Sequence, residues 1–163
     1  MSAKRKSTAE RGKFKRIIHS ALYKNDDIKE LLLGDTSGMS ASEVQKLFKE
    51  HVKSHLFIDD TITTTSTFIF YDVRMPRLHT NTKDCVVLMY LICHRTILED
   101  YSKDGYYGDR IDILSQMVED AIINDSDVSK QFGIGEITLD SIDIYNAVRF
   151  YGCILTFSVP AFR

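Results

Sequence analysis

Asp84-Cys85-Val86-Val87-Leu88-Met89-Tyr90-Leu91-Ile92-Cys93-His94 is apolar on both sides of an extended chain. Side chains alternate along a strand, so Val86, Leu88, Tyr90 and Ile92 share one face and Cys85, Val87, Met89, Leu91 and Cys93 the other. Such a strand needs cover on both faces, from helices or from another subunit. Upstream, Phe68-Ile69-Phe70-Tyr71-Asp72-Val73 carries the β-branched and aromatic residues that favour a strand, and the Thr-rich run Thr61 to Thr67 leads into it. Pro76 has no N–H for a ladder and either closes that strand or places it at an edge. Arg77 to Lys83 reads as a polar connection. Two strands finish the chain, about Gly135 to Tyr145 and Val148 to Val159, turning at Asn146-Ala147.

Helices precede and interrupt the strands. Phe14, Ile17, Ile18, Ala21 and Leu22 follow the i, i+3, i+4, i+7 spacing of one helical face, which predicts a helix over about 8–24. Asn25-Asp26-Asp27 can cap a second segment, Ile28 to Leu33, that Gly34 ends. Ser40 or Ser42 caps a third, with Val44, Leu47, Phe48 and Val52 facing one way. Leu98 to Asp109 reads as an exposed acidic loop bearing tyrosines. Asp109 then caps a helix from Arg110 to Ile123, and residues 124–131 read as another polar loop. Leu88 and Leu114 lie in the densest apolar runs and are expected core positions. The expected fold is α+β, a mixed, mainly antiparallel sheet packed by helices behind an N-terminal helical segment.

The chain has 163 residues, with 21 Lys+Arg against 23 Asp+Glu and a net charge of -2. That length suits one core. The small total gives no global argument for nucleic acid or an anionic membrane, yet the charge is unevenly placed. Residues 1–16 hold seven basic groups against Glu10, leaving 14 basic and 22 acidic groups for the rest. The expected organisation is a basic mobile arm over residues 1–11 and a single α+β domain over 12–163. Lys4, Arg5, Lys6 and Arg11 are the candidate docking residues of that arm, with an acidic protein surface as the favoured target and a solubilising tail or DNA contact as alternatives. Cys85, Cys93 and Cys153 all lie in apolar runs and form no C-x-x-C pair, so they read as buried thiols of a reducing cytosol. The basic N-terminus is followed by no apolar run of signal-peptide length, and the longest apolar stretch is too short to span a membrane.

Catalytic chemistry finds no complete constellation, and no enzyme activity, cofactor or metal is expected. Phe132-Gly133-Ile134-Gly135 lacks the third glycine and the preceding strand of a nucleotide fingerprint. His51 and His55 have the i, i+4 spacing of two zinc ligands on a helix, but Glu50 precedes the pair where a zinc hydrolase carries its Glu after the first His. His94 reads as a half-buried strand histidine making one hydrogen bond. Asp109 and Asp112 are better read as a helix cap and a first-turn acid than as an acid–base pair. Asp140 and Asp143 point to opposite faces of a strand unless a bulge intervenes.

A family resemblance rests on Phe70 to Pro76, Asn81-Thr82-Lys83-Asp84-Cys85, the strand Val86 to His94, Arg110-Ile111-Asp112-Ile113-Leu114, Phe132 to Leu139 and the closing Tyr151-Gly152-Cys153-Ile154-Leu155-Thr156-Phe157. In that order the chain resembles the tail-terminator and neck-joining proteins of long-tailed bacteriophages. The helical segment Ile28 to Val52 is longer than in compact members. The resemblance implies a ring-forming subunit, commonly of six, that caps the tail tube, stops its polymerisation and joins it to the head connector. It implies as partners the tail tube protein, the connector and neck proteins and further copies of the chain, with DNA passing through the lumen without sequence-specific binding and no membrane. The implied location is the virion tail or neck, after assembly in the host cytoplasm. A head-completion or connector-stopper protein and a tail-tube-like ring protein are alternatives within assembly; a DNA-binding regulator is the alternative from another class.

Overall fold

Strand β3 (Lys83–His94) pairs antiparallel with β2 (Thr67–Leu78) on one side and β5 (Phe150–Phe162) on the other, Met89 standing opposite both Tyr71 and Leu155. The structure is a computed structural model describing residues 7–56, 64–78, 83–132 and 137–162. A two-residue strand, β1 (Val52–Lys53), lies parallel outside β2, and β4 (Thr138–Asn146) lies antiparallel outside β5. The order is β1-β2-β3-β5-β4, a mixed, mainly antiparallel sheet, and the α+β expectation holds.

Helices cover one face only. Ile69, Tyr71 and Val73 of β2, the odd-numbered residues Cys85 to Cys93 of β3, and Leu155 and Phe157 of β5 join the helices in one core cluster. On the opposite face Phe68, Phe70, Ile92 and Phe150 form a smaller cluster of their own, with Tyr90 and Tyr145 packed against it. The two-sided apolarity of β3 is therefore met by helices on one face and by aromatic side chains on the other. All three cysteines are buried free thiols, as expected, and burial pushes Cys85 and Cys93 up to about 12.

The helical layer forms where the sequence supplies both an apolar stripe and a cap. α1 (Ser7–Lys24) buries Phe14, Ile17, Ile18, Ala21 and Leu22, and Phe14 stacks on Phe132 with ring centres 5.5 Å apart. Asn25 caps α2 (Asp26–Leu33) by accepting the Ile28 N–H at 3.0 Å, and Gly34 ends it at a φ of 74°, where a side chain would be strained. Ser40 and Glu43 form a capping box on α3 (Ala41–His51), and Asp109 and Asp112 form another on α4 (Arg110–Glu119). The loop before α4 is tied to α2, with the Tyr106 hydroxyl donating to Asp27 and Lys103 bridging Asp27 and Glu30. Among the described residues no helix is long and apolar enough to cross a membrane.

Several expectations are corrected. Residues 124–131 are not a plain polar loop: a π-helical turn (Asp120–Asn124) leads into α5 (Ser126–Ser129), because Asp125 caps it and Val128 and Phe132, four apart, are buried. Of the two outcomes expected of Pro76, it does not close β2, which runs on to Leu78, but it does lie where β2 is an edge, at a register shift between Arg74 and Arg77. His51 and His55 do not share a helix, since α3 stops at His51 and the chain turns extended at Val52. Arg11 is not part of a free arm, because α1 starts at Ser7 and the Arg11 guanidinium is bound to β2. Leu88 is only half-buried, on the face away from the helices. Lys4, Arg5 and Lys6, the run from Thr61 to Thr63 and the Gly133-Ile134-Gly135 turn lie outside the described residues.

Gly152 sits on β5 between Ile92 of β3 and Tyr145 of β4. A Cβ there would lie 1.8 Å from the Leu91 carbonyl oxygen, a backbone atom of the central strand with no room to retreat. Gly152→Ala is expected to destabilise by about 3 kcal/mol or more, at the upper end of overpacking costs, read from denaturant midpoints. Leu114 is fully buried, so Leu114→Ala is expected to cost about 2–5 kcal/mol. Leu88→Ala should cost clearly less in the same titration.

Candidate functional site

The two edges of the sheet differ in charge and in how they are closed. At the β1–β2 edge, Lys15, Arg16 and His19 of α1 meet Lys49 of α3, Lys53 of β1 and His55 across a cleft of about 440 Å³. Val52 and Tyr71 form its floor, Ser20 and Ser54 complete its wall, and no acidic side chain lines it among the described residues. The parallel pairing of Val52 with Ile69 and Lys53 with Phe70 is what brings the end of α3 beside α1. Arg16 and Lys49 are exposed. Burial first, and then the charge of Lys49, hold the His19 imidazole below its ordinary value.

Beyond Phe70 the margin of β2 has no strand beside it among the described residues, and side chains close it instead. Arg11 donates through Nε to the Val73 carbonyl at 2.7 Å and pairs with Asp72 at 2.6 Å, while Asp72 accepts the Val73 N–H at 2.8 Å. Lys15 pairs with Asp72 at 3.1 Å and donates to the Ser54 carbonyl at 2.7 Å. Burial raises the Asp72 carboxyl, but the Lys15 and Val73 hydrogen bonds and the nearby cations outweigh it and keep the group below the usual carboxylate range.

The opposite edge is open. β4 pairs only with β5, so its outer N–H and C=O groups have no strand partner among the described residues. Ile142 stands opposite Leu155 and Ile144 opposite Cys153, which puts both on the helix-bearing face. The helices stop short of them: Ile142 is 63% and Ile144 73% exposed, and Val148 at the following turn is 93% exposed. A groove of about 230 Å³ runs between β4 and α4, with Leu139, Ile142, Cys153 and Leu155 along its apolar side and Asp112 and Glu119 on its rim. Asp140 and Asp143 are exposed on β4 itself. A long, flat, apolar edge strand is a pairing surface unless something blunts it. Arg95 fixes the end of this strand, donating to the Asn146 side chain and to the Ala147 and Val148 carbonyls.

The remaining sequence candidates take structural roles. Asp109 accepts the Ile111 and Asp112 N–H groups, and Asp112 accepts the Asp109 N–H. Burial, joined by the charge of Asp112, holds the Asp109 carboxyl above its ordinary value despite the amides it accepts. A register shift does fall between Leu139 and Ser141, yet Asp140 accepts the Thr138 hydroxyl at 2.8 Å and Asp143 that of Ser141 at 3.4 Å. His51 Nδ1 is 2.8 Å from the Thr67 carbonyl and its ring stacks on Phe68. His94 caps the short turn Arg95–Ile97 through Thr96. Among the described residues no three of His, Cys, Asp and Glu stand where they could hold a metal ion. Sequence reasoning missed both edges. The basic cleft is assembled from three separate segments, and Ile142 and Ile144 read as ordinary alternating strand residues.

A family model described as YomW matches residues 18–159. YomW is a phage SPbeta-type gene-product family name, and the coarse reading it supports is a phage-associated protein. No curated protein matches the chain.

Because the His19 pKa is depressed in the fold, its contribution to stability is fully present above the ordinary value near 6.5 and is lost as pH falls through the lowered one. Unfolding free energy should therefore decline on acidification below about 6.5, and that part of the decline should vanish in His19→Gln. A decline of the same size in the variant would assign it elsewhere.

Proposed function

The chain belongs to the YomW family, and from that premise we propose that it is a structural virion protein of the phage head–tail junction, without enzyme activity. In this reading six copies form a ring on the last ring of the tail tube, which stops tube growth and presents a surface to the head connector and neck proteins. Assembly takes place in the host cytoplasm and the finished ring stays in the virion.

The observation that carries the reading is the open β4 edge, with Ile142 and Ile144 left in water at one end of a sheet whose other end is basic. Removing such a strip from water is favourable by about 25 cal/mol per Å², and a subunit with two unlike ends suits repeated contact with its neighbours. The acidic bias of the body also suits a lumen through which DNA slides with little adhesion. A connector-stopper or head-completion role shares the same ring logic. The basic cleft favours a second reading, a DNA-binding regulator, because clustered Lys and Arg are what phosphates attract.

Electron micrographs of particles assembled without the protein test the leading reading. Overlong tails separated from filled heads are the expected outcome, and normal infectious particles would overturn it. Salt-sensitive retention of duplex DNA by the purified protein, lost in Lys49→Glu, would instead favour the regulator.

A further inference from the structure

We propose that the acidic β4 edge of one copy seats against the basic cleft of the next, so that copies of this chain associate head to tail. Asp140 and Asp143 are exposed along β4, Asp143 on the face opposite Ile142 and Ile144, while Asp112 and Glu119 stand on the groove beside the apolar strip that those two isoleucines leave exposed. Arg16, Lys49 and Lys53 border a cleft with no acid among its described lining residues. Each edge carries what the other lacks, and complementarity of this kind selects partner and register.

The alternatives within one chain type are disfavoured by the same charges. Pairing β4 with β4 brings Asp140 and Asp143 of two copies together, and cleft against cleft sets lysines against lysines; like charges so placed repel. A strand added along β2 is obstructed, because Arg11 and Asp72 already occupy the outer carbonyl and N–H of Val73. The unlike edges are separated by four strand spacings, roughly 19 Å at about 4.8 Å each, at opposite ends of the order β1-β2-β3-β5-β4. An open sheet cannot bring its own two ends together. The contact is therefore heterologous, and it closes into a ring or runs on as a filament according to the rotation between neighbours. The closed form rests on the ring reading above; the contact itself does not.

A charge swap tests the proposal. Asp140→Lys with Asp143→Lys reverses the β4 edge, and Lys49→Glu with Lys53→Glu reverses the cleft. Light scattering after size exclusion should show the parent as assemblies that shrink at high salt. Each reversed variant, shown to be folded by circular dichroism, should self-associate about ten-fold or more weakly. An equimolar mixture of the two should recover the parental size. Ile144→Ser, which changes no charge, should also weaken assembly. A parent that stays monomeric at millimolar concentration overturns the proposal, as does a mixture that stays monomeric with both variants folded. Loss of duplex DNA retention in the cleft-reversed variant with its oligomeric state unchanged overturns it in favour of a polyanion site. Head-to-tail assembly by a protein whose loss leaves virions normal would refute the neck reading alone, and a neck ring built through another surface would refute the edge contact alone.

Discussion

The constraint on which the fold depends is the removal of the helix-side face of β3 from water, together with Ile92 on its other face. Its odd-numbered residues, Cys85 to Cys93, lie in one core cluster with the helices, α4 packing on β3 while α1 and α2 pack on β2 beside it, and that requires the helices to lie together on one side. Its even-numbered residues depend on neighbours in the sheet: Ile92 is covered with Phe68 and Phe150, and Tyr90 meets Tyr145 at a ring separation of 5.9 Å across the glycine of β5. A glycine at position 152 serves both needs, since it lets the β5 backbone approach β3 and leaves the space above it to aromatic rings.

Edges are the cost of an open sheet, and this chain treats its two edges differently. On the β2 side the unpaired backbone of Val73 is satisfied within the chain by Arg11 and Asp72, with Lys15 holding the carboxylate from the other side. Surface ion pairs contribute little energy singly. Their effect here is directional, because they fill hydrogen-bonding positions that another strand would otherwise use. On the β4 side no side chain fills the outer backbone positions in this way among the described residues, and only the register shift at Asp140 and the two acids blunt the edge. The strand has neither Pro nor Lys, and its apolar side chains face the gap beyond α4. Such an edge is open to pairing, and its acids disfavour a strand of like charge.

Much of this architecture was legible in the linear chain. The alternation in Asp84 to His94 and the stripe in Phe14 to Leu22 each repeat over several periods, and Asn25, Ser40 and Asp109 stand where caps belong. What was not legible lacks a periodic signal. β1 is two residues long and exists only because Ile69 and Phe70 offer it a partner. α5 is four residues, too short for a stripe beyond the Val128 and Phe132 pair. Arg11 reads as one more charge in a basic run until tertiary packing supplies the Val73 carbonyl. The basic cleft is hidden for the same reason, because Arg16, Lys49 and Lys53 are neighbours only after β1 docks. The acidic edge is the converse case, in which the residue types are plain but the point where the helical layer ends is a property of the whole packing.

The buried thiols make the folded chain indifferent to the redox state of its surroundings. With Cys85 and Cys93 held near 12, almost none of either is thiolate at neutral pH, and the thiolate is the species that oxidises or exchanges. They are eight residues apart on one strand, roughly 26 Å at about 3.3 Å per residue, far beyond the span of a disulfide. Cys93 and Cys153 are diagonal neighbours across the β3–β5 ladder, where Cα atoms stand about 7–8 Å apart, also too far without movement of the central strands. The Cys153 sulfur is meanwhile engaged at 3.2 Å by the Ser115 hydroxyl. Passage from a reducing compartment into air would change no covalent bond in the core, so the same fold serves on both sides of that boundary.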